Sequence, residues 1–141
     1  MIINEQEIHD ICKRYLISNY TINPDGSIDV DGYVELGVYK LDKIPLKFNN
    51  VSGYFNISYN DITSLEGCPN YVGRWFSCND NNLTSLKGCP NYIGGTFYCG
   101  GNPLESLEGY NGDYDKLYCD NKDGLTLKEK RKQKLKIISE L

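Results

Sequence analysis

Between Gly53 and Tyr110 the apolar and polar positions fall into register every 21 residues. Phe55, Phe76 and Phe97 share one column, and Ile57, Cys78 and Cys99 the next. Asn60, Asn81 and Asn102 follow, then Ile62, Leu83 and Leu104, then Leu65, Leu86 and Leu107, and last Gly67, Gly88 and Gly109. A fixed period of this length predicts stacked turns, each too small to bury its own apolar face and sharing one core with its neighbours. Alternation at Phe76 and Cys78 predicts a short strand with both side chains inward and Trp75, Ser77 and Asn79 outward. Thr63–Ser64 and Thr84–Ser85 predict a polar bend between buried leucines, and the Gly-Cys-Pro step stops strand or helix from running on. A buried Asn column must satisfy its amides, which a ladder along the turns does.

The pattern extends beyond its clearest copies. Val34, Leu36, Leu41, Ile44 and Val51 stand one period earlier, with Tyr39 in the ladder column, so the ladder is expected to begin at Asn60. Leu117 and Cys119 resume the strand after a one-residue deletion, Leu125 arrives one residue late, and Tyr110–Tyr114 predicts an irregular loop. Residues 4–18 read as a helix capped by Asn4 with Glu7 three residues on, its apolar stripe being Ile8, Ile11, Cys12, Tyr15 and Leu16. Thr126-Leu-Lys-Glu129 reads as a capping box opening a last helix, with Leu127, Leu135, Ile138 and Leu141 as a narrow apolar edge. Asn23-Pro-Asp-Gly26 reads as a turn and Ser27–Val30 as an alternating edge strand. The expectation is one α+β domain over residues 1–141: a helical cap (1–20), repeats (21–125) of four to five turns, and a C-terminal helix (126–141).

Phe76-x-Cys78-x-x-Asn81-x-Leu83-x-x-Leu86 resembles a leucine-rich repeat, L-x-L-x-x-N-x-L-x-x-L, with Phe and Cys replacing two leucines. The unit is most similar to the short bacterial and bacteriophage type in which Leu-Thr-Ser-Leu-x-Gly-Cys-Pro recurs. That resemblance implies a short parallel strand per turn lining a concave face, with the Asn columns bonding adjacent turns.

Charge changes the picture at one end. Residues 126–141 carry six basic and two acidic side chains, whereas the rest of the chain carries nine basic and 17 acidic. A solvated helix that caps the last turn and neutralises an acidic body accounts for this asymmetry. Lys128, Lys130, Arg131, Lys132, Lys134 and Lys136 also make a candidate basic patch for nucleic acid or an acidic protein.

Candidate chemistry is sparse. Six cysteines fall in two repeat columns (Cys68 and Cys89; Cys78, Cys99 and Cys119) plus Cys12, and read as reduced core thiols. No C-x-x-C occurs and the single His9 has no obvious partner, so no zinc site, other metal or cysteine nucleophile is expected. Thr21–Gly32 mimics a calcium loop, but its first ligand is Thr and its twelfth position is Gly. No phosphate loop appears, no cofactor is implied and no enzyme is expected. No apolar run reaches membrane-span length, and the first residues lack the basic flank and hydrophobic region of a secretory signal, so the expected compartment is the cytoplasm, of the host cell if the gene is a phage's.

What remains is surface. Alternation places Tyr33, Glu35, Tyr54, Asn56, Trp75, Ser77, Asn79, Tyr98, Lys116, Tyr118 and Asp120 on the outer side of five strands. Exposed aromatics with polar handles are the usual composition of an interface core, although cross-strand stacking stabilises a sheet without any partner. The expected function is non-catalytic protein binding by a monomer or homodimer, with a modulator of a host enzyme or defence system as the finer reading. Nucleic-acid binding through the basic helix, or structural self-assembly, are the alternatives.

Overall fold

A computed structural model describes residues 3–141. Helix α1 (Glu5–Arg14) starts where Asn4 accepts a hydrogen bond from the Glu7 amide at 2.9 Å and returns one from its own amide to the Glu7 carboxylate at 3.0 Å. It ends four residues before the sequence suggests. Leu16 turns left-handed (φ 57°) and is exposed instead of joining the stripe, leaving Ile8 and Cys12 as the buried residues.

Ten short strands follow: β1 (Tyr20–Ile22), β2 (Ile28–Val30), β3 (Val34–Glu35), β4 (Phe48–Val51), β5 (Phe55–Asn56), β6 (Tyr71–Val72), β7 (Phe76–Ser77), β8 (Tyr92–Ile93), β9 (Phe97–Tyr98) and β10 (Leu117–Tyr118). They form two five-stranded sheets, β1-β2-β4-β6-β8 and β10-β9-β7-β5-β3, so the first four coils each contribute a strand to both sides and the last contributes only β10. All neighbours pair in parallel except the β1–β2 hairpin. The chain is a parallel-strand β-solenoid with 21-residue spacing between a helix at each end. The register confirms the repeat: Phe55 pairs with Phe76 and Phe76 with Phe97.

The second sheet corrects the single strand per turn. The Tyr-Val and Tyr-Ile pairs after Gly-Cys-Pro-Asn are strands in their own right, with Val72 inward and Tyr71 and Tyr92 outward. Ser27–Val30 is also no edge strand. β2 lies between β1 and β4, with Ile28 and Val30 buried. Both sides of the first four coils are therefore held at hydrogen-bonded strand spacing.

The core is the inward columns. Phe55, Phe76, Phe97, Ile57, Cys78 and Cys99 are wholly buried, and Leu65, Leu86 and Leu107 lie beneath them. Asn81 donates to the carbonyls of Ile57 (2.9 Å), Cys78 (3.2 Å) and Asn79 (3.3 Å) and accepts from the Ile62 amide (3.0 Å), so it ties two coils together. Asn102 repeats the set one coil on, and Asn60 begins it, accepting from the amides of Tyr39 and Leu41. Asn81→Ala is expected to cost about 1–3 kcal/mol, because buried backbone groups lose their partner. The neighbouring exposed Asn82→Ala should cost under about 0.5 kcal/mol. Urea unfolding of both variants measures the difference, and equal midpoints would remove the ladder from the stability argument.

The residue before each ladder position is left-handed: Val38, Tyr59, Asp80 and Gly101. In the last coil Asn121 keeps that conformation (φ 54°), but Lys122 replaces the ladder Asn and the chain runs on as α2 (Lys122–Ser139). The helix therefore starts four residues before Thr126, and the predicted capping box lies inside it. Its buried residue is Leu125, while Leu127, Leu135, Ile138 and Leu141 are exposed, so only the start of α2 covers the last coil. The predicted loop is partly ordered as a 3-10 turn (Tyr114–Lys116), and Tyr110 is buried with its hydroxyl donating to the Asp113 carbonyl at 2.6 Å.

Candidate functional site

The outer face of the β3-β5-β7-β9-β10 sheet is built by what pairs beneath it. Inward Phe and Leu residues fix the strands, and the alternating residues stand above them in two columns. One column is Tyr33, Tyr54, Trp75, Thr96 and Lys116, each preceding its strand. The other is Glu35, Asn56, Ser77, Tyr98 and Tyr118, in register by direct pairing. The aromatic residues occupy the first column for three coils and cross to the second for the last two.

These rings form a continuous file. Tyr33 stacks on Tyr54 (centroids 5.1 Å apart, 16°), and Tyr54 on Trp75 (4.2 Å, 5°). Tyr98 meets Trp75 edge-on (6.3 Å, 79°), Tyr118 follows at 6.0 Å, and the Lys122 ammonium lies 5.9 Å from the Tyr118 ring centre. Because parallel strands repeat at ~4.8 Å, close to ring-stacking distance, the sheet itself aligns the rings. Only Tyr54 has both faces covered, by Tyr33 and Trp75, while Tyr33 and Tyr118 at the ends of the file stay largely exposed. Burial, and next the Glu35 carboxylate, hold the Tyr54 phenol above its ordinary value.

A polar track runs beside the rings. Asn56 donates to both Glu35 oxygens (2.8 and 3.1 Å) and accepts from the Ser58 hydroxyl (2.5 Å). The Ser58 and Ser77 hydroxyls share a bond of 2.6 Å, and Asn79 accepts from the Gly100 amide at 2.7 Å. Ser77 is on the predicted side of its strand yet only 3 % exposed, so it forms the floor of a shallow hollow walled by Trp75, Tyr98, Asn56 and Asn79. Lys116 and Asp120 stand at the far end, and Asp120 accepts from the Gly101 amide at 2.8 Å.

The opposite sheet carries features the sequence reading passed over. Asn70 donates to Asn49, and Asn49 to Asp29, each at 2.9 Å, as a second ladder on the outside. Tyr71 and Tyr92 stack above it at 4.9 Å and 9°. The recurrence of Pro-Asn-Tyr in two repeats was the available signal.

Elsewhere the candidates resolve into structural roles. Asp25 accepts from the Ser27 amide (3.0 Å) and hydroxyl (2.6 Å) and pairs with Lys47 (3.0 Å), which commits the turn carboxylate and lowers its pKa. His9 shares a hydrogen bond with the Tyr20 hydroxyl at 2.5 Å. Among the described residues no group of three His, Cys, Asp or Glu side chains is placed to hold a metal ion, and all six cysteines are free. On α2, Lys128 donates to the Glu105 carbonyl at 2.8 Å. Lys130, Arg131, Lys132, Lys134 and Lys136 form no ion pair among the described residues. No described helix is long and apolar enough to cross a membrane. Comparison with protein-family models, with curated proteins and with solved structures finds no match.

Proposed function

We propose that this chain is a non-catalytic protein-binding module of the leucine-rich-repeat kind, and that the ringed face is its interface. The observation that carries the reading is the unbroken file of Tyr33, Tyr54, Trp75, Tyr98 and Tyr118 on the outside of a fully packed solenoid. None of these rings fills the core, which Phe and Leu columns already close. Where the rings stack, at Tyr33, Tyr54 and Trp75, the central ring offers its edge and hydroxyl, which suits a protein surface better than a base seeking a free ring face. The finer proposal, from the resemblance to short bacteriophage repeat proteins, is a host protein as partner, met in the cytoplasm and modulated by the contact.

Trp75→Ala is the test. It removes a central anchor worth about 2–4 kcal/mol of binding, enough to lose a micromolar partner from affinity capture. The fold should survive, at a cost of about 0.5–1.5 kcal/mol for the lost Tyr54 stack.

A second reading has an observation of its own. Helix α2 leaves the body after its first turns with five basic side chains in no ion pair among the described residues, which suits an acidic partner or nucleic acid. Joint charge reversal at Lys130, Arg131, Lys132 and Lys134 should leave capture intact if the ringed face is the interface. Capture that tolerates Trp75→Ala, depends on α2 and weakens steeply with salt would transfer the function to the helix.

A further inference from the structure

The ringed face is complementary to itself, and we infer that a second copy of this chain docks on it as a two-fold dimer. The inference rests on the reading of that face as an interface. Take the coils as one to five, numbered by β3, β5, β7, β9 and β10. Consider a half-turn about an axis lying in the face, along the strands, through coil three. It lays coil one of each copy over coil five of the other and keeps each column over itself.

Because the rings change column after coil three, every ring but the central one then meets a smaller or charged residue. Tyr33 lies over the other copy's Lys116, Tyr54 over Thr96, Tyr98 over Asn56 and Tyr118 over Glu35. Trp75 lies on the axis. A file confined to one column would instead set ring against ring throughout. The end rings Tyr33 and Tyr118 are the most exposed of the file, 58 % and 64 %, where the opposite copy offers Lys116 and Glu35.

Charge follows the same rule. Glu35 marks coil one, while coil five carries Lys116, Lys122 and one acid, Asp120, whose carboxylate accepts from the Gly101 amide; Lys122 already lies beside the Tyr118 ring. The half-turn brings Glu35 of each copy to Lys122 of the other, and Lys116 over the Tyr33 ring, twice per dimer. The alternative axis, along the stack, sets coil one on coil one and leaves like charges together.

The face is small. Five strands at ~4.8 Å and a width of two outward columns cover roughly 20 by 10 Å, about a quarter of the ~800 Å² per partner of a standard interface. Association is therefore expected to be weak, with Kd on the order of 0.1 mM.

Sedimentation equilibrium of the full chain from about 10 µM to about 1 mM should follow a monomer–dimer isotherm, with Trp75 emission shifting over the same range. Lys116→Glu, at an exposed position, should weaken dimerisation about 10–100-fold because the change enters twice. Glu35→Lys should do the same. An equimolar mixture of Glu35→Lys with Lys122→Glu should recover a heterodimer that neither forms alone, since one Glu35–Lys122 contact is native and the other swapped. Should Glu35→Lys fail to fold, judged by circular dichroism, Lys116→Glu and Trp75→Ala carry the test. A monomer throughout the range overturns the second copy as partner. The protein-binding reading then still stands or falls by its own Trp75→Ala capture assay. A dimer unmoved by Lys116→Glu and Trp75→Ala places the contact elsewhere and overturns the inference as well.

Discussion

Gly94→Ala is expected to cost about 4 kcal/mol or more, enough to prevent the protein from accumulating in folded form. A Cβ at Gly94 would lie 2.1 Å from the Gly73 carbonyl oxygen and 2.9 Å from its carbon, both backbone atoms of the adjacent coil. No side-chain rotation relieves that contact, so the coils must part. Parting them breaks the bonds that hold them, including Gly94 N–H to the Val72 carbonyl (2.9 Å) and Gly95 N–H to the Arg74 carbonyl (2.8 Å). Gly73 is under the same constraint from Ser52. Gly100 is the control, because a Cβ there would meet its nearest atoms, from Asn79 and Asp120, at 3.5 and 3.6 Å. Gly100→Ala should stay within about 1 kcal/mol of wild type and can stabilise by restricting the unfolded chain. Thermal melts by circular dichroism compare the two. Equal melts would mean that the coils are not held at backbone contact along the Gly73–Gly94 column.

Raising the pH from 8 to 10 is expected to remove roughly 4 kcal/mol of stability through three buried thiols alone. Desolvation holds Cys68, Cys78 and Cys99 well above the ordinary thiol value of 9.0, with neighbouring thiols adding to the shift. The folded chain keeps these protons while the unfolded chain releases them near pH 9. Their contribution is therefore complete below pH 9 and lost as pH rises toward their folded values, at about 1.4 kcal/mol per thiol per pH unit. Urea titrations at the two pH values give the loss, and replacing Cys78 and Cys99 by Val should shrink it by about 3 kcal/mol. A loss unchanged in that double variant would mean that Cys78 and Cys99 do not carry the alkaline sensitivity.

The solenoid was legible in the chain because its period is a packing requirement. Every 21 residues the same column must present a Phe, an Asn or a Leu to its copy in the next coil, so identity recurs and can be counted. The ladder starting at Asn60 and the outward side of five strands follow from that alone. The opposite sheet was harder to read, because two-residue strands such as Tyr71–Val72 carry too little alternation to be seen without their partners. Helix α2 was misplaced because its start is set by a left-handed corner at Asn121, a conformation inherited from the coil geometry and stronger than the local capping signal at Thr126–Glu129.

The amino-acid sequence by itself determined the repeat, the inward columns, the free thiols' places in them and the side of each strand on which Tyr33, Trp75 and Tyr98 stand. Periodicity encodes these because each depends only on spacing along one chain. The tertiary structure alone decided that the coils carry a second sheet, that Ser77 lies at the floor of a hollow, that Tyr54 is stacked between Tyr33 and Trp75, and that the apolar residues of α2 beyond Leu125 lie open to solvent. Those depend on distances between coils and on where the chain leaves the stack, which no spacing along the chain records.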